Sequence, residues 1–500
     1  MVCWLKFSKA KSAALCLKGD FLEEKEKQLG ITVKKEQDFS EWYNQVVLKA
    51  ELADYAPIRG FMVIRPAAYR IWEKIQEQFN AAIAKQGVRN AYFPLLIPKS
   101  FFEKEAEHAA GFEPELAWIE AGKEDAEERV AIRPTSETIM YDSYAKWIRS
   151  WRDLPFRLNQ WCNVLRWEVK QCKLFLRTRE FLWQEGHCVY STERECEKEA
   201  LLYLDEYKKV CEQLLAIPVI AGEKTAAERF AGAKRTFTIE ALMPDGKALQ
   251  MGTSHNLGQG FAKVFGITYS DEKGQKQIPW QNSWGFSTRL IGALVMVHAD
   301  NKGLVLPPAV AENKVAIVPI FFEKTMGKVA AKAKELAGKL SKFNPILDER
   351  QEYSAGWKFN EWELKGIPVR VEVGPKDIEK KQVVLVRRDN GKKEIVKEKD
   401  AVKKIDLMLK EIQENLFNNA KRFLENNTIE VKDWAEFKKA LSERKMISAF
   451  FCNKPECEQQ IKEETTATAR CIPFGQKKSR GQCVKCGKET EIKVCFAKGY

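Results

Sequence analysis

The segment Phe181-Leu182-Trp183-Gln184-Glu185-Gly186-His187 places four chemically competent side chains at every second position. Side chains alternate between the two faces of a strand, so Phe181, Trp183, Glu185 and His187 share one face. Leu182, Gln184 and Gly186 take the other. Two aromatics, a carboxylate and an imidazole make a poor core, but a good floor for a pocket that stacks a ring and fixes a small polar ligand. Upstream lies Arg166-Trp167-Glu168, again with a charged pair on one face. The connecting loop carries Lys170, Lys173, Arg177 and Arg179, enough charge for a polyphosphate. Arg289 opens a helix after Gly285-Phe286-Ser287-Thr288, with Ser287 expected as its N-cap. Arg166 and Arg289, approaching from opposite sides, suit a triphosphate, and a guanidinium also stacks on flat rings, so an adenine would lie between Phe181 and Arg289. Any one of these arginines read singly is a surface ion pair; their order along the chain favours a site.

The elements that must carry these residues are legible in outline. Residues 23–47 read as a helix, and residues 55–65 as a turn and short strand leading to Pro66 at the first position of a helix. Ile71, Trp72, Ile75, Phe79 and Ile83 give that helix one apolar face, which suits an ordinary core helix or a subunit interface. Residues 90–97 and 248–255 read as strands, and 193–215 and 288–298 as helices. Pro307-Pro308 marks a boundary. Strands expected at 314–320, 367–373 and 382–387, with a helix at 324–340, describe a small α/β domain. A helix over 405–425 leads into a last domain.

Bulk composition bounds the function classes. Five hundred residues suggest two to four domains, and the apolar and charged fractions are those of a folded protein. A formal charge of +13 is compatible with a polyanionic partner, although a solvated basic face gives the same number. No run of eighteen apolar residues exists, so no membrane span is expected. Thirteen scattered cysteines, an odd number, indicate a reducing compartment and a cytoplasmic location rather than a disulfide framework. Residues 1–18 are basic and acid-poor, but lack the apolar core of a targeting segment; residues 1–30 read as an N-terminal extension.

The tail holds Cys452 and Cys457, then Cys483 and Cys486, two short-spaced pairs that suit one tetrahedral Zn²⁺. Cys471 and Cys495 are further thiols that could compete. Four thiolates leave no open coordination position, so a structural role is expected.

Together these motifs resemble class II aminoacyl-tRNA synthetases. The segment from Gly60 to Pro66 is similar to the first family motif, associated with a homodimer interface; the Arg166–Glu168 hairpin to the second; the Gly285–Arg289 helix start to the third. No Walker loop is present. Arg133-Pro134-Thr135-Ser136-Glu137, Trp183–His187 and Gly252-Thr253-Ser254-His255 resemble prolyl-tRNA synthetases of the archaeal and eukaryotic type, over nearly the whole chain. The resemblance implies an α+β fold: a class II catalytic domain on a mixed, mainly antiparallel sheet (31–308), an α/β anticodon-binding domain (309–404) and a small zinc-binding α+β domain (405–500).

It also implies roles. Thr135 and Glu137 would hold the proline imino group, with Arg166 and His255 at the carboxylate side, and Trp183, Glu185 and His187 would shape the L-proline pocket. Arg166, Glu168, Arg177, Thr178, Phe181, Gln250, Thr253, Ser287 and Arg289 would contact ATP, which brings Mg²⁺. Gln250 is out of phase with Thr253 and His255, so its role requires a bulge at Gly252. Lys358, Arg370, Arg387 and Arg388 are candidate donors to the anticodon of tRNA(Pro). Cys471 resembles a non-ligand cysteine of the family's tail, and Tyr500 a tyrosine that folds back toward the active site. The gap between His187 and Gln250 is too short for an inserted editing domain. The competing readings are a synthetase for threonine or glycine, which the Thr135–Glu137 and Trp183–His187 segments disfavour, and a catalytically dead paralogue that binds RNA or a partner, which the retained Arg166, Arg177 and Arg289 disfavour.

Overall fold

A computed structural model describes residues 30–106, 115–119, 128–167 and 171–500. The N-terminal extension, His108 and part of the charged loop at 125–129 therefore lie outside the described residues. The first described helix is Phe39–Lys49, shorter than the sequence suggests, because the Asp38 carboxylate accepts from the Ser40 and Glu41 N–H groups and starts it there.

An eleven-stranded sheet is shared by the first part of the chain and its last unit. Its centre is the antiparallel run Arg235–Leu242, Lys247–Gly258, Trp280–Ser287, Glu180–Tyr190 and Phe156–Leu165. The Glu180–Tyr190 strand is paired on both edges, with Glu185 opposite Gly285 on one side and Gln160 on the other. Its two faces differ as the alternation requires. Gly186 stands opposite Trp284, and a Cβ there would overlap the indole, so glycine is needed for that close approach. On the same buried face Gln184 donates to Asn159 Oδ1 at 2.7 Å.

Helix Pro66–Ala84 starts on its proline and buries Ile71, Trp72, Ile75, Phe79 and Ile83. Trp72 meets Trp161 edge-on at 5.3 Å, and Phe79 meets Phe286 at 5.2 Å. This face is thus core, as the plainer reading held. Tyr55, Ile58, Val63 and Tyr69 stay exposed beside it. The single strand expected at 90–97 is instead two pieces: Arg89–Asn90 pairs with the large sheet, and Leu96–Pro98 with a separate three-stranded sheet. Pro94 stands between them and has no N–H for a ladder. The stretch from His187 to Gln250 is one long helix and strands of the same sheet, with no inserted domain.

The second unit is a five-stranded sheet built from Val315–Pro319, Ile346–Leu347, Val369–Val373, Gln382–Arg387 and Lys393–Lys397. Helix Ala401–Asn426 packs Ile405, Met408 and Ile412 into its core. The boundary expected at residue 404 falls near the start of this helix. The last unit extends the large sheet: Ile472 and Pro473 pair with Glu223 and Gly222, and strand Lys493–Gly499 runs parallel to Lys247 and Ala248. Among the described residues no helix is long and apolar enough to cross a membrane.

Candidate active site

Phe181, Trp183, Glu185 and His187 line one cleft of about 320 Å³, together with Thr135, Glu137, Arg166, Gln250, Thr253, His255, Ser287 and Arg289. An adjoining cavity of about 210 Å³ shares Arg166, Phe181, Ser287 and Arg289, and adds Arg177, Thr178 and Tyr500. Of the residues proposed for proline and ATP, only Glu168 is not placed; it lies outside the described residues, as does Lys170.

One end of the cleft is organised by Glu185. Its Oε2 accepts from Ser136 N–H at 3.0 Å and Thr135 Oγ1 at 3.3 Å, and lies 3.2 Å from His187 Nε2. Its Oε1 accepts from Gln160 Nε2 at 3.2 Å and Cys162 Sγ at 3.4 Å. Burial alone would raise its pKa, but the His187 and Ser136 bonds win and bring it down to about 2. Glu185 is therefore a charged organiser with its oxygens occupied.

Glu137 is the opposite case. It is 3 % exposed, and its Oε2 has no hydrogen-bond partner among the described residues. Burial raises its pKa, opposed by His187, Ser283 and Arg166 and reinforced by Glu185. A buried carboxylate oxygen left unpaired in a cleft is an unfilled acceptor for a donor that arrives with a ligand. The loop presenting Thr135 and Glu137 is held by Arg133, which donates to the Phe93 carbonyl at 2.8 Å and the Asn163 carbonyl at 2.9 Å.

The wall is Trp183, edge-on to Phe181 at 6.0 Å, and its Nε1–H donates to Cys162 Sγ at 3.2 Å. Arg166 lies just past the end of its strand rather than within it. Its guanidinium stands 5.6 Å from the Phe181 ring centroid and 5.5 Å from Trp183, and Nε donates to the Pro134 carbonyl. Arg289 feels Arg166 and Arg177 as neighbouring cations; burial first, then Arg166, lowers its pKa to about 10. Mutual repulsion of this kind leaves the group awaiting an anion. Ser287 is not the N-cap: Thr288 holds that position without a side-chain bond, while Ser287 Oγ accepts from the Arg289 N–H at 3.3 Å.

Gln250 reaches the cleft by a bulge. Ile239 pairs with Gly252 and Glu240 with Gln250, so Met251 is the extra residue, immediately beside the glycine expected to kink. His255 Nδ1 lies 3.0 Å from Thr236 Oγ1, and burial, helped by His187 and Lys224, lowers its pKa to about 3. Lys224, Glu228, Phe230 and Ser283 also line the cleft. They sit in segments without a distinctive spacing, and sequence reading passed over them. Tyr500 Oη donates to Asp245 Oδ2 at 2.6 Å, and Lys173 and Lys247 stand over its ring at 5.6 and 4.8 Å.

The four candidate anticodon donors are engaged within the chain. Lys358 is buried and donates to the Asp348 carbonyl at 3.2 Å. Arg370 binds Glu363 and Glu372, Arg387 binds Asp389 and Glu411, and Arg388 makes a two-pronged pair with Asp300. A buried ion pair that loses a partner is costly, so the Arg370 contacts help hold this unit together.

In the tail, the ligand atoms of Cys452, Cys457, Cys483 and Cys486 all lie within 4.8 Å of one another. Cys471 and Cys495 face each other across paired strands and are not part of that quartet.

Three family models match the chain: the tRNA synthetase class II core domain (G, H, P, S and T) over residues 118–298, the anticodon binding domain over 314–407, and the prolyl-tRNA synthetase C-terminal domain over 434–500. A proline–tRNA ligase of Natranaerobius thermophilus is 51 % identical over 469 residues, 93 % of this chain and 97 % of the relative. Proline–tRNA ligase 2 of Clostridioides difficile is 50 % identical over 476 residues, with the same coverage. Proline–tRNA ligase 2 of Bacillus thuringiensis is 48 % identical over 475 residues, 95 % of this chain and 99 % of the relative. These relatives are bacterial, so the expected archaeal and eukaryotic type gains no support from them.

Proposed function

The chain belongs to the prolyl-tRNA synthetase family of class II aminoacyl-tRNA synthetases, and from that premise we propose how its cleft works. The enzyme is a proline–tRNA ligase. It activates L-proline with ATP to prolyl-adenylate and transfers the prolyl group to the 3′ end of tRNA(Pro). The observation that carries the site reading is the unpaired, buried Oε2 of Glu137 beside the Trp183 wall. A secondary ammonium brings two N–H donors and a positive charge, which is what that oxygen lacks. Trp183 and Phe181 bound the five-membered ring, while Thr135 and Glu185 fix the acceptor loop.

The adjoining cavity takes the nucleotide. Arg166, Arg177 and Arg289 hold the phosphates, Phe181 stacks the adenine, and Thr178, Gln250, Thr253 and Ser287 complete the contacts. The carboxylate of proline attacks the α-phosphorus in line, the bond to the β-phosphate oxygen breaks, and pyrophosphate leaves. The arginines meet charge that develops on the phosphates. Mg²⁺ accompanying ATP would add charge neutralisation. A hydroxyl of the terminal ribose then attacks the prolyl carbonyl, the acyl–phosphate bond breaks and AMP leaves, so no protein nucleophile is required.

The four tail thiols have the number, type and mutual reach for a tetrahedral Zn²⁺. Such an ion would tie the Cys452–Cys457 segment to the Cys483–Cys486 turn, a structural rather than chemical part. Exposed Tyr55, Ile58, Val63 and Tyr69 support a homodimer contact on that flank. Of the archaeal and eukaryotic type we retain only the domain order, and the scattered cysteines support a cytoplasmic location. Proline-dependent exchange of pyrophosphate into ATP tests the reading: exchange with proline supports it, and exchange with threonine or glycine instead overturns it.

A further inference from the structure

Residues 224–233 link strand Ile220–Glu223 to strand Arg235–Leu242 and bring Lys224, Glu228 and Phe230 onto the cleft wall. Phe230 packs on the His255 imidazole at 4.7 Å, and its N–H donates to Thr236 Oγ1 at 3.0 Å. The tip of the segment is exposed and its root is buried.

That root is held by the last unit of the chain. Lys224 Nζ donates to Glu240 Oε1 at 2.9 Å. Glu240 is fully buried, and its Oε2 accepts from Arg470 Nε at 3.0 Å and Nη2 at 2.7 Å. Beside this relay, Thr225 Oγ1 donates to Glu458 Oε1 at 3.1 Å, and Ala226 N–H to Asn453 Oδ1 at 3.5 Å. Arg470, Glu458 and Asn453 all fall within residues 434–500, matched by the C-terminal domain model. A buried ion pair is weak evidence of a functional role on its own. Here the relay ends on a cleft-lining ammonium and starts across a domain boundary, and two separate bonds tie the same root.

We propose that the C-terminal domain positions the amino-acid end of the cleft: Arg470, acting through Glu240 on Lys224 and joined by the Thr225–Glu458 bond, fixes residues 224–230 and keeps Phe230 against His255. Arg470 and Glu240 are positioning residues, since neither lines the cleft. The inference rests on reading that end as the proline pocket.

The test uses the full-length enzyme and the variants Arg470→Ala, Arg470→Lys and Thr225→Val. In pyrophosphate exchange, Arg470→Ala should raise KM for proline about tenfold while kcat and KM for ATP stay within about twofold. Arg470→Lys keeps a cation but not the two-pronged fork, and should recover part of the loss. Trypsin should cut at Arg229 faster in Arg470→Ala than in the wild type, with proline slowing the cut. An unchanged KM for proline, or equal rises for proline and ATP, would overturn the proposal. Thr225→Val removes the hydroxyl donor to Glu458 but leaves the Lys224–Glu240–Arg470 relay intact, and should shift KM for proline about threefold in the same direction. If Arg470→Ala fails to fold, that variant decides. If wild-type exchange does not depend on proline, the reading of the cleft fails, and the relative trypsin rates still judge the tether.

Discussion

Replacing Glu137 with glutamine keeps the side chain's shape and removes its charge. In the wild type, the buried Oε2 stands ready for the proline imino group. A hydrogen bond to a charged partner contributes about 1.5–3 kcal/mol, so the variant should lose roughly ten- to 150-fold in kcat/KM for proline. KM for ATP should barely move, because the phosphate arginines are untouched. Stability should respond in the opposite sense. Burial raises the folded pKa of Glu137, so between the ordinary carboxylate value and the raised one the native state binds more protons than the unfolded chain. Stability therefore falls as pH rises through that window, and at neutral pH the wild type carries the cost. Glu137→Gln should melt no lower than the wild type at neutral pH. The assay is pyrophosphate exchange over a proline series, paired with thermal melts. A KM for proline within threefold of wild type, or a lower melting temperature together with a raised KM for ATP, would refute the argument.

Arg289→Ala should lower adenylate formation by about 10²- to 10³-fold while tRNA binding persists, measured by exchange and by filter binding. His298 is buried and its Nε2 lies 2.8 Å from the Leu215 carbonyl, with its pKa lowered by burial to about 4. A depressed base loses native stability as pH falls from its unfolded value through its folded one, by about 3 kcal/mol here. His298→Gln should flatten that part of the acid-unfolding curve. Elemental analysis should find close to one zinc per chain, and Cys483→Ser should abolish it and lower the melting temperature. Arg370→Gln should lower stability and leave KM for tRNA within about threefold, since its guanidinium already serves Glu363 and Glu372.

Period-two alternation made the cleft floor readable, because Phe181 to His187 has a single regular geometry in which those side chains can coincide. The same logic anticipated the bulge that admits Gln250, displaced by one residue to Met251. Elements whose limits depend on local chemistry were less legible: Asp38 starts the first helix late, and Pro94 splits a strand. Sequence shows that Arg370 and Arg388 are basic but not that Glu372 and Asp300 already neutralise them, because those partners are set by tertiary packing. Lys224 and Phe230 were invisible for a related reason. Only the turn that folds residues 224–233 over the sheet brings them to His255.

The account stands most directly on a charging assay. Unfractionated tRNA is incubated with the enzyme, ATP and each of the twenty amino acids in turn. Proline should be esterified to the tRNA far more efficiently than any other amino acid. Preferential charging of threonine or glycine, or no charging by a folded protein, would contradict it.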